Sequence, residues 1–269
     1  MSKPQTRCVF CGGVPATKGH IWPEWFDRYL PAKASHHLEA VGEVLTFEYK
    51  GDGPKRRNIV RQGHAGSRKP RNTCKRCNGG WMSRLEQANV PVLSSLMLGT
   101  PTLITPIDQW LLASLACLIT IRLEFADTEM QGVPVEDRST LMNTGGPPFD
   151  TWRIWIAGYS GDHPEDHWSR HFGMQIVSSV DHVSRPHKCN AQITTMVLGK
   201  LCIHAVSSSA MPVPRGYDGI SLSEIWPPNH MTIDSRLLPP LNDAEVVYLH
   251  ESIPASMKTV REQMSDIRK

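Results

Sequence analysis

Two Cys-x-x-Cys pairs, Cys8 with Cys11 and Cys74 with Cys77, stand 62 residues apart. Four thiolates at this spacing are what a closed tetrahedral zinc site requires. Closing the intervening loop costs about 3 to 4 kcal/mol of chain entropy. Structural zinc in small modules supplies about 10 to 16 kcal/mol, so the metal outweighs that cost. Cys8, Cys11, Cys74 and Cys77 are therefore expected to clamp the first part of the chain around one Zn²⁺. Four thiolates saturate the ion, which makes it structural and places any catalysis elsewhere. A redox role is disfavoured, because neither pair reads as a strand followed by the opening of a helix in a thioredoxin-like context. Cys117, Cys189 and Cys202 are single, and Cys117 and Cys202 fall in apolar stretches that suit inert buried thiols.

The chain has 269 residues, 40% hydrophobic and 20% charged, enough to bury one large core or two smaller ones. Its longest nearly apolar run, Trp110 to Ile121, contains Ser114 and Thr120 and is followed by Arg122. That is too short to span a bilayer, so a buried helix is expected and a membrane is not. No apolar stretch precedes Cys8, which points to a cytoplasmic protein in a reducing compartment.

Net charge is +3, but its distribution is uneven. Residues 1–49 carry five Lys+Arg and five Asp+Glu, residues 50–76 carry ten and one, and residues 77–269 carry 14 and 20. The resulting charges are 0, +9 and −6. The middle segment holds Lys50, Lys55, Arg56, Arg57, Arg61, Arg68, Lys69, Arg71, Lys75 and Arg76, and it ends inside the second cysteine pair. A polyanion attracted to it is delivered to the zinc module; the alternative is a solvated hairpin.

An α+β fold is expected, divided near Thr100 into a zinc module (1–99) and a larger body (100–269). In the module, Pro23 to Leu30 reads as a short helix. Val44 to Tyr49 and Arg57 to Arg61 read as a basic hairpin turned by Lys50-Gly51-Asp52-Gly53-Pro54. A helix follows Asn78, and Pro91 is expected to interrupt or end it. In the body, Thr105 and Pro106 read as the cap and first residue of a helix reaching Phe125. Gly145-Gly146-Pro147-Pro148 marks a break. Trp152 to Ala157, Met174 to Val177 and a hairpin from Gln192 to Val206 with one buried face then supply an antiparallel sheet under the helix. Asp162 to His167 reads as a solvated loop. Histidines other than His20, among them His36, His37, His163, His167 and His171, read as ordinary surface or core residues. Trp22, Trp25 and Trp81 read as a small core, with base stacking as the alternative.

The order Cys-x-x-Cys, His20-Ile21-Trp22-Pro23, then Cys-x-x-Cys-Asn78-Gly79-Gly80-Trp81-Met82 resembles the HNH endonucleases, ββα-metal nucleases that carry a structural zinc. The likeness covers about the first third of the chain. More loosely, Trp110 to Phe125, Arg138, Pro147-Pro148, the Trp152 strand and the hairpin ending at Val206 resemble the C-terminal body of bacterial and phage proteins with this module. The resemblance implies an N-terminal ββα-metal module and metal-dependent hydrolysis of DNA phosphodiesters, with RNA a possible substrate. His20 would be the general base, consistent with an imidazole whose ordinary pKa is about 6.5. Asn78 would be an oxygen ligand of a catalytic Mg²⁺ or Mn²⁺. Lys55, Arg56, Arg57, Arg61, Arg68, Lys69, Arg71, Lys75 and Arg76 would contact phosphates. Asn72 or Asn58 would orient His20. One position departs from the pattern: Gly19 stands where the family has Asp or Glu, the anionic metal ligand. Glu24 and Glu86 are the nearest replacements in sequence. The alternative is a zinc-stabilised nucleic-acid-binding protein whose HNH-like site does not cleave. A scaffold that binds no nucleic acid is the third reading.

Overall fold

The computed structural model describes residues 6–14, 16–30, 36–42, 45–46, 56–62, 69–126, 131–162, 167–175, 189–210, 212–213 and 215–250. Near the first cysteine pair the backbone closes on itself. Cys8 N–H donates to Gly13 O and Gly12 N–H to Cys8 O, both at 2.9 Å, and the turn requires φ of 68° at Gly12. Strand β1 (Ala16–Lys18) pairs antiparallel with the four-residue strand Arg71–Cys74, Ala16 opposite Cys74 and Thr17 opposite Thr73. This register brings the two cysteine pairs to one place. Between these strands, Glu24–Arg28 forms a 3-10 helix, shorter than the helix expected over Pro23 to Leu30, and buries Phe26.

Strand β2 (His36–Gly42) continues the chain, followed by β3 (Leu45–Thr46), β4 (Arg56–Gln62) and β5 (Arg71–Cys74). The basic ribbon exists with a different partner. β4 pairs antiparallel with β2, His36 opposite Gln62 and Gly42 opposite Arg56, and not with the expected Val44–Tyr49. Leu45 and Thr46 instead run parallel to the edge of the main sheet. Alternation marks a strand but does not select its neighbour, and the open edge of a larger sheet offers unpaired backbone groups. The Lys50–Pro54 turn lies outside the described residues.

After β5 come α1 (Lys75–Cys77), a π turn over Asn78–Met82 and α2 (Ser83–Met97). Pro91 neither ends nor interrupts α2. Its missing N–H would have paired with the carbonyl of Gln87, and both residues are exposed, so water can satisfy that acceptor. Beyond β6 (Leu103–Ile104), α3 (Pro106–Glu124) begins as expected. Thr105 caps it in a reciprocal box with Asp108, with Pro106 in the first turn. By length and composition α3 could cross a membrane, yet 13 of its 19 residues are buried inside the fold, including Arg122 and Glu124. It is the central core helix. The short helix α4 (Val135–Thr144), which the sequence reading did not anticipate, ends at Gly145 with φ of 76°.

The main sheet contains β7 (Trp152–Tyr159), β8 (His167–Gln175), β9 (Ala191–Leu198), β10 (Leu201–Ser208), β11 (Ser223–Trp226) and β13 (Pro240–Leu241), while β12 (Ile233–Asp234) pairs with β6. Strand order is β11-β7-β10-β9-β8-β3, with β13 beside β7. The β3–β8 and β13–β7 pairings are parallel, so the sheet is mixed where an antiparallel one was expected. The β9–β10 hairpin is buried on both faces, not one. Met196, Leu198, Leu201, Ile203 and Ala205 pack toward the helices. Ile193, Val197, Cys202 and Val206 pack into two clusters on the other side, with Val213, Val246 and Leu249. The covering segment, helical over 243–250, has no strong sequence signal, so the second buried face could not be foreseen. β8 starts earlier than Met174 and takes His167 out of the expected solvated loop. That imidazole is 2% exposed, against the rings of Trp22 and Phe26.

One apolar cluster crosses the expected boundary at Thr100. It joins Cys8, Phe10, Trp22 and Phe26 of the module to α2, α3 and one sheet face. Arg138 ties the same junction, donating to Val9 O at 2.7 Å with its guanidinium over the Phe125 ring. Glu124 lies beneath it, accepting from the N–H groups of Gly132 and Val133. Burial pushes its carboxyl up to about 8 against the opposing pull of those N–H groups. A folded pKa above the unfolded value stabilises fully at pH below about 4.5 and is lost as pH rises through about 8. At 1.36 kcal/mol per unit, the change is roughly 4 to 5 kcal/mol. Urea denaturation should therefore show stability falling across this window, and Glu124→Gln should flatten the fall. A wild-type curve level from about pH 5 to 8 would mean the carboxyl titrates normally.

Candidate functional site

The four cysteines Cys8, Cys11, Cys74 and Cys77 converge. Their sulfurs all lie within 4.8 Å of one another, and Cys11 Sγ is 3.6 Å from Cys74 Sγ. Tetrahedral Zn–S bonds of about 2.3 Å place sulfurs roughly 3.8 Å apart, so a small contraction around an ion completes the site. Cys8, Cys74 and Cys77 are buried and Cys11 is exposed. Cys74 ends β5 and Cys77 ends α1, so the second pair does join a strand to a helix. What speaks against a two-cysteine redox centre is the convergence of all four sulfurs. Burial pushes the Cys8 thiol up, but backbone N–H groups of Cys11, Cys74 and Phe10 and the Cys11 thiol outweigh it and bring it to about 7. Burial and the sulfurs of Cys11 and Cys74 push Cys77 up. Four crowded thiols cannot all ionise against one another, and a soft divalent cation removes that conflict. The cluster can hold a metal ion such as zinc.

Next to this centre, β1 delivers Gly19 and His20 to the start of the π turn. Gly19 N–H donates to Pro70 O at 3.1 Å. The His20 ring is 22% exposed, with Nδ1 2.9 Å from Glu24 Oε1. Burial lowers the His20 pKa, Glu24 raises it, and Lys69 and Arg122 lower it further. The net direction favours neutral imidazole, whose Nδ1–H donates to Glu24 and leaves Nε2 with its lone pair. A His–carboxylate pair of this kind can accept a proton. Glu24 thus supports His20 rather than facing Asn78. Asn72 is buried in β5 with no partner for Nδ2 among the described residues, and the side chain of Asn58 lies outside the described residues.

Asn78 and Glu86, two of the three expected oxygen ligands, meet a residue to which the sequence reading gave no site role. Arg122, 2% exposed on α3, donates through Nη1 to Glu86 Oε1 at 2.7 Å and through Nη2 to Asn78 Oδ1 at 3.2 Å. Met82 Sδ and Ile21 O lie 3.5 Å from the same guanidinium. A Cβ added at Gly19 would lie 3.4 Å from Asn78 Oδ1, so side chains at this position aim at the hollow, but it would also meet Thr73 Oγ1 at 2.9 Å. A hard divalent ion needs several oxygen ligands free of other cations. Here Gly19 offers none, Glu24 faces His20, and Asn78 and Glu86 already hold a fixed positive charge. These residues do not fit a catalytic Mg²⁺ or Mn²⁺. The helical spacing that runs through Arg122 toward Phe125 could have flagged it, since a cation on an otherwise buried face requires a partner.

Of the basic residues, Lys69, Arg71, Lys75 and Arg76 are exposed, and Lys69 Nζ lies 3.9 Å from Glu24 Oε1. Arg56, Arg57 and Arg61 lie on β4, with side chains outside the described set, as are Lys55 and Arg68. Trp22 is buried and Trp25 and Trp81 pack partly buried against the core, with Trp81 edge-on to Phe10 at 5.2 Å. No family model matches the chain, and no curated protein or solved structure matches it either.

Proposed function

We propose that this chain is a zinc-stabilised nucleic-acid-binding protein built on an HNH-like ββα module that no longer performs metal-dependent cleavage. The observation that carries this reading is the Arg122 guanidinium bonded to both Asn78 Oδ1 and Glu86 Oε1, where the resemblance requires a divalent ion. Gly19, which removes the acidic ligand, supports the same reading, because the missing carboxylate and the added cation change the local charge in one direction. The +9 segment supplies the affinity for a polyanion. Zn²⁺ at the four cysteines holds the segment's end in place.

A metal-dependent DNA endonuclease is the second reading, and the His20–Glu24 pair favours it, being arranged as a general base would be. Plasmid incubated with the protein and Mg²⁺ or Mn²⁺ separates the two. No nicking above a His20→Ala control is expected; nicking that disappears with His20→Ala would establish the endonuclease. Binding should be salt-sensitive, as about six neutralised duplex phosphates give a slope of log affinity against log salt near −5. A salt titration followed by fluorescence anisotropy measures it, and absence of DNA affinity at low salt would leave only a scaffold role.

A further inference from the structure

We propose that the His20–Glu24 pair is a metal-independent RNA-cleaving site, in which His20 Nε2 removes the proton of a ribose 2′-hydroxyl and that oxygen attacks the adjoining phosphorus. The inference rests on the nucleic-acid-binding reading above and deepens it by naming the substrate class.

His20 is set up as a base. Its Nδ1 lies 2.9 Å from Glu24 Oε1, which holds the ring in one orientation and one tautomer. Nε2 has no hydrogen-bond partner among the described residues, and it is not among the enclosed polar atoms, so its lone pair is open to a ligand. A divalent ion has no comparable seat beside it. Gly19 supplies no oxygen, Glu24 is bonded to His20, and Asn78 Oδ1 and Glu86 Oε1 accept from Arg122. The site keeps the base and lacks the ion's ligands.

That combination selects the substrate. Hydrolysis of DNA needs an external water captured, acidified and aimed at phosphorus, which is the task of a bound metal ion. RNA carries its own nucleophile. The 2′-hydroxyl sits on the carbon next to the one bearing the phosphate, so attack is intramolecular and a positioned base is enough to start it. A cation is also at hand for the charge that develops on the phosphate oxygens. Lys69 Nζ is 3.9 Å from the same Glu24 oxygen, close enough to be held there and too far for a hydrogen bond, so its N–H groups remain available. Lys69 belongs to the +9 segment that attracts the polyanion.

In the reaction, the 2′-hydroxyl proton passes to His20 Nε2, the O2′–P bond forms and the P–O5′ bond breaks. The leaving O5′ takes a proton from water, and the hydroxide so formed is neutralised by the proton on His20. The products are a 2′,3′-cyclic phosphate and a 5′-hydroxyl end. His20 is the catalytic residue, and Glu24 is a positioning residue that acts through it.

The test uses the full chain with its zinc content verified, in buffer stripped of other divalent ions by chelating resin. The probes are a fluorescent single-stranded RNA, the DNA of the same sequence, and the same RNA with every 2′-hydroxyl methylated. The RNA should be cut to fragments ending in a cyclic phosphate, identified by mass spectrometry, at a rate that added Mg²⁺ does not change. The DNA and the methylated strand should stay intact. His20→Ala, purified in parallel to control for contaminating ribonuclease, should lose at least about a hundredfold in rate with unchanged circular dichroism and zinc content. Glu24→Gln retains an acceptor for Nδ1 without the charge, and should lower kcat with KM unchanged. RNA left intact by wild type, cut only with Mg²⁺, or cut equally by folded His20→Ala overturns the inference, as does an unchanged kcat in Glu24→Gln. If the methylated strand still binds by fluorescence anisotropy, the nucleic-acid-binding reading survives that failure. Absence of binding to all three strands removes the underlying reading as well.

Discussion

Cys74→Ser should abolish the metal centre and unfold the N-terminal module. Bound zinc, measured by elemental analysis, is expected to fall from about one equivalent to near none. The loss is on the order of 10 kcal/mol, comparable with the whole stability of a typical domain. Cys74 is the residue at which three features meet. It ends β5, lies opposite Ala16 of β1, and its Sγ accepts from Cys77 N–H at 3.4 Å. Serine offers a hard, weakly acidic oxygen in place of a soft thiolate, so the ion loses a ligand and the loop-closure cost returns uncompensated. Because Cys8, Phe10 and Cys77 belong to the cluster that also contains α3, the damage should spread, and the main thermal transition should shift down as well. A chelator strong enough to remove zinc should reproduce the effect in wild type. A Cys74→Ser protein with wild-type zinc content and melting temperature would show that the four sulfurs are not a metal centre.

Arg122→Met should destabilise the protein by about 3 kcal/mol, the low end for breaking a buried ion pair, because the Glu86 side chain retains 19% exposure. For a chain of this size that corresponds to a fall in melting temperature of roughly 6 to 12 °C. The cause is the loss of donors to Glu86 and Asn78, not a cavity, since methionine fills much of the same volume. The Arg122→Met, Glu86→Leu double variant should recover most of the loss, because an apolar pair needs no partner in the same space. Arg122→Lys should fall between, as one ammonium cannot reach both acceptors with a planar fork's geometry. If Arg122→Met melts like wild type, the guanidinium contributes nothing net, and its bonds to Asn78 and Glu86 are incidental.

How legible the fold was depended on how local each signal is. The start of α3 was readable because Thr105 and Pro106 stand side by side as cap and first helical residue, and the fold adds Asp108 to complete the box. The β9–β10 hairpin was readable from alternation and Gly199, whose φ is 61°. Partner choice was not: β4 pairs with β2 rather than with the stretch nearest in sequence, and His167 enters a strand despite its polar neighbours. Both outcomes depend on which sheet edge is open once the rest has folded, a property no window of residues contains.

By itself the sequence determined the convergence of Cys8, Cys11, Cys74 and Cys77, since two knuckles of sulfur leave a metal few other ways to be satisfied. It also set His20 between the two pairs, while the short strand Ala16–Lys18 that leads to it emerged only in the fold. Only the tertiary structure decided what stands next to Asn78. Arg122 lies 44 residues further on, at the end of a helix whose burial is set by the sheet beneath it, and its charge reaches Asn78 and Glu86 solely through packing. The ligand set of a tetrahedral ion is written in spacing, whereas the sign of the charge in a hollow is the sum over every element that closes it.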